Sequence, residues 1–76
     1  MKQEQIEING KTYCITTEPL YNKSGELLGY IVYFEEGICR PLLNGKIIRN
    51  NNNRIEIFAN GTDALEYAKL YLNENL

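Results

Sequence analysis

The 76-residue sequence predicts a small α+β domain, with an antiparallel sheet of four to five strands followed by one C-terminal helix packed on one sheet face. Three observations predict this class. Alternating apolar and polar runs are separated by turn-forming dipeptides, one run is apolar at every position, and helical periodicity occurs only near the C-terminus. The length accommodates a single domain over residues 1–76, with the hairpins of the sheet in residues 4–58 and the helix in residues 62–74.

The first hairpin is predicted by the Asn-Gly dipeptide at residues 9–10, because a type I′ turn needs positive φ at both central positions. A two-residue turn pairs Ile8 with Lys11 and Ile6 with Tyr13. Side-chain alternation then gathers the apolar residues on one face of the ribbon: Ile6, Ile8, Tyr13 and Ile15.

The central strand is predicted at residues 27–34, where both alternating sets of side chains are apolar or aromatic. One face of this strand should meet the helix, and the other should meet a loop or a second subunit. Pro19 lacks a backbone N–H, so it either ends the preceding strand or confines it to a sheet edge.

The second half of the sheet is predicted from weaker signals. Residues 35–37 are typical of a turn, and residues 38–43 of a short strand that Pro41 confines to an edge. Two short runs flank four consecutive asparagines, which predicts a hairpin with its tip at residues 50–53. A four-residue loop in this hairpin would place Arg49 opposite Arg54.

The helix is predicted after the Asn-Gly dipeptide at residues 60–61, with Thr62 or Asp63 as its N-cap. Tyr67 and Leu70 lie off the main apolar stripe, so the helix is apolar on more than one face. The stripe itself recurs at three- and four-residue spacing: Ala64, Leu65, Ala68, Tyr71 and Leu72. Residues 55–68 resemble the closing strand–helix segment of many small bacterial and phage-encoded domains, a resemblance that implies no function.

The two cysteines, Cys14 and Cys39, have no Cys-x-x-Cys spacing, and the sequence contains no histidine that could complete a zinc site. Cys14 falls on the ribbon face away from the main apolar side. The sequence favours two reduced, half-buried thiols and leaves open whether they pair.

Composition argues against several function classes. The net charge of −2 disfavours a generally basic protein that coats nucleic acid, and the absence of histidine removes catalysis by imidazole. The six glycines are scattered through separate turns, so the sequence has no phosphate-binding loop. We therefore expect no enzyme activity, no cofactor and no metal. No apolar segment reaches membrane-spanning length, which predicts a cytoplasmic protein without membrane contact.

The leading functional hypothesis is a non-enzymatic protein–protein interaction module that self-associates, as a homodimer or within a larger complex. Six tyrosines exceed the needs of so small a core, and tyrosine suits surfaces that are wet in one state and buried in another. The candidate interface residues come from the two-faced strand and the wide apolar helix: Tyr30, Ile31, Tyr33, Tyr67, Leu70 and Tyr71.

Two alternatives follow from charge. Residues 40–54 contain four basic residues and no acid. This pattern is typical of a solvated hairpin whose charges discourage edge pairing, and it also allows a nucleic-acid or phosphate contact through residues 46–54. Its candidate residues are Arg40, Lys46, Arg49, Asn51, Asn52 and Arg54. The further alternative is a small acidic regulator that occludes a basic site on a target protein, through acids such as Glu35, Glu36, Glu66 and Glu74.

Overall fold

The structure, a computed structural model, describes residues 2–39, 45–50 and 52–75. Within these residues the chain forms four strands and then one helix: β1 (Lys2–Ile8), β2 (Lys11–Tyr21), β3 (Leu27–Glu36), β4 (Lys46–Ile47) and α1 (Gly61–Asn75). The strands are antiparallel and follow the order β1-β2-β3-β4, and α1 packs on β2 and β3. This arrangement confirms the predicted α+β class.

The β1–β2 hairpin has the predicted register. Asn9 and Gly10 form the turn with φ values of 53° and 79°, as a type I′ turn requires. Ile8 pairs with Lys11, and Ile6 pairs with Tyr13. The apolar face of the ribbon therefore points to α1, where its side chains join the core.

The core lies between this face of the sheet and α1. Ile15 of β2, Val32 of β3 and Ile48, which directly follows β4, contribute branched side chains that are each at most 1% exposed. Burying each of these side chains stabilises the fold by about 1.5–3 kcal/mol. The helix contributes small residues and one leucine, which let its backbone approach the sheet: Ala64, Ala68 and Leu72, all with no exposed surface.

The opposite face of the sheet carries a disulfide. Cys14 alternates with residues that face α1, so its side chain points away from the helix, and it bonds to Cys39 with a Cα–Cα distance of 5.0 Å. The backbone N–H of Cys39 also donates to Gln5 Oε1 at 3.3 Å. The prediction of two reduced thiols is therefore wrong, because β-sheet pairing and the turn at Gly37 bring two distant segments together.

The central strands extend further than predicted. β2 continues through Pro19 to Tyr21, but β1 begins at Lys2 opposite Thr17, so at Pro19 only β3 is a strand neighbour in the described part. The edge alternative for Pro19 is thus confirmed. β3 includes Glu35 and Glu36 and ends there, so the turn predicted at residues 35–37 begins only at Gly37.

The edge strand predicted at residues 38–43 is not found in the part that the structure describes. Residues 38 and 39 are not in a strand, and residues 40–43, with Pro41, lie outside the described residues. The chain instead leaves the sheet at Gly37, whose φ of 122° turns the backbone out of the strand direction.

The fourth strand is interrupted by an insertion. Ile47 pairs with Tyr33, and the N–H of Ile48 donates to Val32, so a continuous strand would place residue 50 opposite Tyr30. Phe58 takes that position instead, so the chain is eight residues longer there than a continuous strand would be. Because strand side chains alternate with period two, an even insertion keeps Phe58 on the same face as Ile48. We call residues 49–57 the inserted loop.

The tip of the inserted loop is narrower than predicted. Arg49 pairs with Ile55 rather than with Arg54, so the two arginines do not oppose each other. The N–H of Asn50 donates to the carbonyl of Arg54, and Asn53 adopts φ 62° next to this closure. A left-handed residue that follows a turn forms the bulge typical of three-residue hairpin loops. This bulge shifts the pairing of the two arms of the hairpin by one residue.

The helix is capped by Asn60 rather than by Thr62 or Asp63. Asn60 Oδ1 accepts the N–H of Asp63 at 2.8 Å, and its amide donates back to the Asp63 carboxylate at 3.3 Å. The prediction of the cap was wrong because the Asn-Gly dipeptide also fits a free-standing turn. Here the glycine is already the first helical residue.

Replacing Asn60 by alanine is expected to lower the free energy of unfolding by about 1 kcal/mol, because the N–H of Asp63 loses its acceptor. Urea unfolding followed by circular dichroism measures the change. Thr62→Ala is the matched control and should change stability by less than about 0.5 kcal/mol. A larger loss in Thr62→Ala than in Asn60→Ala would contradict this assignment of the cap.

Candidate functional site

The structure divides the six predicted interface residues among three places. Tyr30 lies on the α1 side of the sheet, next to the start of the helix. Ile31 and Tyr33 alternate with Tyr30 along β3 and therefore lie on the opposite face. The remaining three lie together on one side of α1: Tyr67, Leu70 and Tyr71.

Tyr33 already has a polar partner within the chain. Its hydroxyl donates to Glu18 Oε2 at 2.9 Å, across the β2–β3 pair. Burial, and then the hydrogen bond and the negative charge of Glu18, raise the pKa of Tyr33 above its ordinary value. The polar tip of this side chain is therefore engaged in holding two strands together.

A cleft of about 490 Å³ separates α1 from the inserted loop. Three residues of the interface hypothesis and one residue of the basic hypothesis, Arg49, line this cleft. Leu70 lies on the helix side with 61% of its surface exposed. The residues that line the cleft come from β4, the inserted loop and the second half of α1: Ile47, Arg49, Asn50, Asn53, Tyr67, Leu70, Tyr71, Glu74 and Asn75.

The helix wall of the cleft is held by two aromatic contacts. Tyr67 packs on Phe58 with ring centroids 5.1 Å apart, and Tyr71 packs on Phe34 at 6.0 Å. Tilted pairs at these distances stabilise the fold by about 0.5–1.5 kcal/mol beyond the area they bury. Part of the tyrosine surplus is thus explained by packing against the sheet, and Leu70 is the exposed apolar side chain of this wall.

The loop wall is organised by Asn50. Its Oδ1 accepts the N–H groups of Asn52 at 2.9 Å and of Arg54 at 3.1 Å, and its amide donates to Glu56 Oε2 at 3.0 Å. Sequence analysis missed this role. The signal is an asparagine followed by residues with free N–H groups, which is the pattern of an Asx turn, but four consecutive asparagines hide which one performs it.

The residues predicted to contact an anion or nucleic acid are only partly described. Arg40 and Asn51 lie outside the described residues. The other four are exposed: Lys46, Arg49, Asn52 and Arg54. Of these, Arg49 lines the cleft, and its Nη1 donates to the carbonyl of Asn53 at 3.3 Å.

The cleft carries charges of both signs. Glu74 lines it together with Arg49, at the end of α1 where the helix dipole is negative. The last turn of α1 contains no basic residue that would offset this field. An anion in the cleft would meet a carboxylate and the negative helix end as well as the guanidinium, so the cleft does not concentrate positive charge.

The other side of α1 is tied to the edge of the sheet. Lys69 Nζ lies 2.8 Å from Glu4 Oε2, and the hydrogen bond to Glu4 raises the pKa of Lys69. A second cavity, of about 370 Å³, lies beside this pair and includes Thr17 and the helix start at Gly61. The hydroxyl of Thr17 is already used, because it donates to the carbonyl of Lys2 at 3.5 Å.

Comparison of the chain with models of protein families, with curated proteins and with solved structures gave no match. In residues 2–39, 45–50 and 52–75, no three or more acidic, cysteine or histidine side chains are grouped as a metal site. The helix in this part of the chain is too short and too polar to cross a membrane. The functional conclusion therefore depends on the geometry of the cleft.

Proposed function

We propose that this chain is a non-enzymatic protein-binding module whose contact surface is the cleft between α1 and the inserted loop. The observation that carries the proposal is the exposed Leu70 beside the two half-buried tyrosines of the helix wall, Tyr67 and Tyr71. Interface centres are enriched in tyrosine and apolar side chains and are surrounded by polar residues, which is the composition found here.

The cleft is also preorganised. The helix wall is fixed by the contacts of Tyr67 with Phe58 and of Tyr71 with Phe34, and the loop wall by the hydrogen bonds of Asn50. Ordering side chains and loops on binding costs free energy, and a surface that is already ordered avoids most of that cost. This supports specific recognition of a protein surface.

Nucleic-acid binding is the weaker alternative. Phosphate contacts require clustered positive charge, whereas Arg49 shares its cleft with Glu74, and the amide of Asn50 is consumed inside the loop. The acidic-regulator alternative is weakened as well, since Glu36 lies 4.0 Å from Lys11, and the cleft that Glu74 lines also contains the guanidinium of Arg49, which would repel a basic partner. Each alternative is an outcome of the experiment below.

Replacing Leu70 by aspartate is expected to reduce protein capture at least tenfold, because a charge replaces an apolar group in the contact. Tagged protein is incubated with nuclease-treated lysate, and captured proteins are quantified by mass spectrometry against the wild type. Leu27→Asp is the matched control, since Leu27 is similarly exposed at 50% but lies at the start of β3, outside the cleft. Leu70→Asp should lower the free energy of unfolding by about 1–1.5 kcal/mol, because aspartate is a weaker helix former than leucine and lies four residues from Glu66 and from Glu74. Urea unfolding of both variants establishes that they are folded before capture is compared.

Equal reductions in captured protein for Leu70→Asp and Leu27→Asp would reject the cleft as the contact surface. Proteins that are captured from untreated lysate but not from nuclease-treated lysate would transfer the proposal to nucleic acid. Fluorescence anisotropy with labelled DNA and RNA at about 50 mM salt would then show binding that weakens steeply as salt is added. Protein capture that salt alone abolishes would favour the acidic regulator.

A further inference from the structure

We infer that the occupant of the cleft is a second copy of this chain, bound about a two-fold axis, with Arg49 of each protomer against the partner's Glu74. The inference rests on the proposed function, that the cleft is a protein-binding surface. It adds the identity of the partner and the charged contact that fixes how the two copies are oriented.

Charge complementarity favours a second copy over a partner of uniform charge. The cleft carries one full positive charge, on Arg49 of the loop wall, and one full negative charge, on Glu74 of the helix wall. In a two-fold interface residue i contacts residue j and residue j contacts residue i. Two copies of the cleft therefore satisfy both charges at once, whereas a uniformly acidic or basic partner would place like charges together.

Both charges are available for this contact. In the described part of the chain, neither Arg49 nor Glu74 lies within 4.0 Å of an oppositely charged group. Arg49 uses Nη1 for the carbonyl of Asn53, which leaves further N–H donors of the guanidinium for a carboxylate. On the other side of α1, by contrast, Lys69 and Glu4 already pair with each other at 2.8 Å.

The size of the chain sets how far the contact must extend. A standard interface takes about 800 Å² from each partner, which is a sizeable part of the 5405 Å² surface of this protein. The contact therefore spreads from the cleft onto the outer surface of α1 around Leu70. Small domains with limited cores commonly gain stability from such association.

Reciprocal charge reversal tests the inference. Arg49→Glu and Glu74→Arg each place like charges together twice in a homodimer, so each variant should dissociate at least tenfold more readily than the wild type in sedimentation velocity experiments. An equimolar mixture of the two variants should recover the dimer, because both contacts of the mixed dimer then join a carboxylate to a guanidinium. The control pair is Lys11→Glu and Glu36→Lys, an exposed ion pair outside the cleft, and neither change should alter self-association.

Three results would overturn the inference. A wild-type chain that stays monomeric at high concentration would show that a second copy does not occupy the cleft. The capture experiment with Leu70→Asp would then test the proposed function separately. Variants that dissociate singly but do not recover in the mixture remove the two-fold pairing of Arg49 with Glu74. If neither Arg49→Glu nor Glu74→Arg weakens the dimer, self-association uses another surface. Urea unfolding of each variant establishes that the substitutions leave the fold intact.

Discussion

Loss of the Cys14–Cys39 disulfide is expected to lower the free energy of unfolding by about 3–4 kcal/mol and the Tm by about 15–25 °C. The bond joins residues 25 positions apart, so it restricts the unfolded chain substantially. A domain of this size has a total stability of only about 5–15 kcal/mol, so the loss is a large fraction of it. Thermal and urea unfolding of the wild type, with and without dithiothreitol, measures the effect.

Cys39→Ser is the preferred variant for this measurement. Cys39 is only half-buried, whereas Cys14 has no exposed surface, so a hydroxyl at residue 39 stays near solvent. Dithiothreitol should destabilise the wild type to the level of Cys39→Ser and should leave the variant unchanged. Two thiols that alkylate readily in native protein purified without reductant would contradict the disulfide.

The same thiol measurement bears on where the protein works. Disulfides persist in oxidising surroundings and are rare in the cytosol, where thiols are kept reduced. The cytoplasmic location predicted from the sequence and the Cys14–Cys39 bond therefore make opposite demands. Counting free thiols in protein taken directly from its native cells distinguishes them.

Replacing Gly29 by alanine is expected to destabilise the fold by about 2–6 kcal/mol. Gly29 adopts φ 148°, which side chains rarely adopt, at a cost of about 1–3 kcal/mol. An added Cβ would also lie 2.5 Å from Ile57 Cγ2 and 2.7 Å from the carbonyl oxygen of Phe58, and such overpacking costs about 1–3 kcal/mol. Urea unfolding of Gly29→Ala gives the sum of the two effects.

Gly37→Ala separates these effects. Gly37 has a similar φ of 122°, but an added Cβ there would meet nothing within 4 Å. It should therefore show only the backbone cost of about 1–3 kcal/mol. Equal destabilisation by Gly29→Ala and Gly37→Ala would refute the close approach of the inserted loop to β3. A larger decrease in the free energy of unfolding for Gly29→Ala than for Gly37→Ala would support the pairing of Phe58 with Tyr30, in which the Phe58 ring packs on Tyr67.

Local chemistry predicted those parts of the fold that depend on neighbours along the chain. The turn at Asn9 and Gly10 determines the whole β1–β2 register, because a two-residue turn leaves only one pairing. Ala64, Ala68 and Leu72 lie one helical turn apart, so their burial follows from periodicity alone.

The remaining features depend on contacts between distant segments or on backbone conformations that several residue types can adopt. The Cys14–Cys39 bond requires the turn at Gly37 and also the β2–β3 register that pairs Cys14 with Glu35, and the spacing of the cysteines does not reveal that register. A single left-handed residue, Asn53, shifted the register of the second hairpin. The cleft was not predicted because Arg49 and Leu70 supported two separate hypotheses, and only tertiary packing places them together.

The insertion in the fourth strand separates the segments that form the core from a segment that forms one wall of the cleft. Ile48 and Phe58 anchor the two ends of the inserted loop on neighbouring positions of β3, opposite Val32 and Tyr30. The residues between them form one wall of the cleft and contribute little to the core. The frame of the fold and this wall of the cleft are thus carried by different segments of the chain, so substitutions in the wall should alter the cleft with little effect on the stability of the frame.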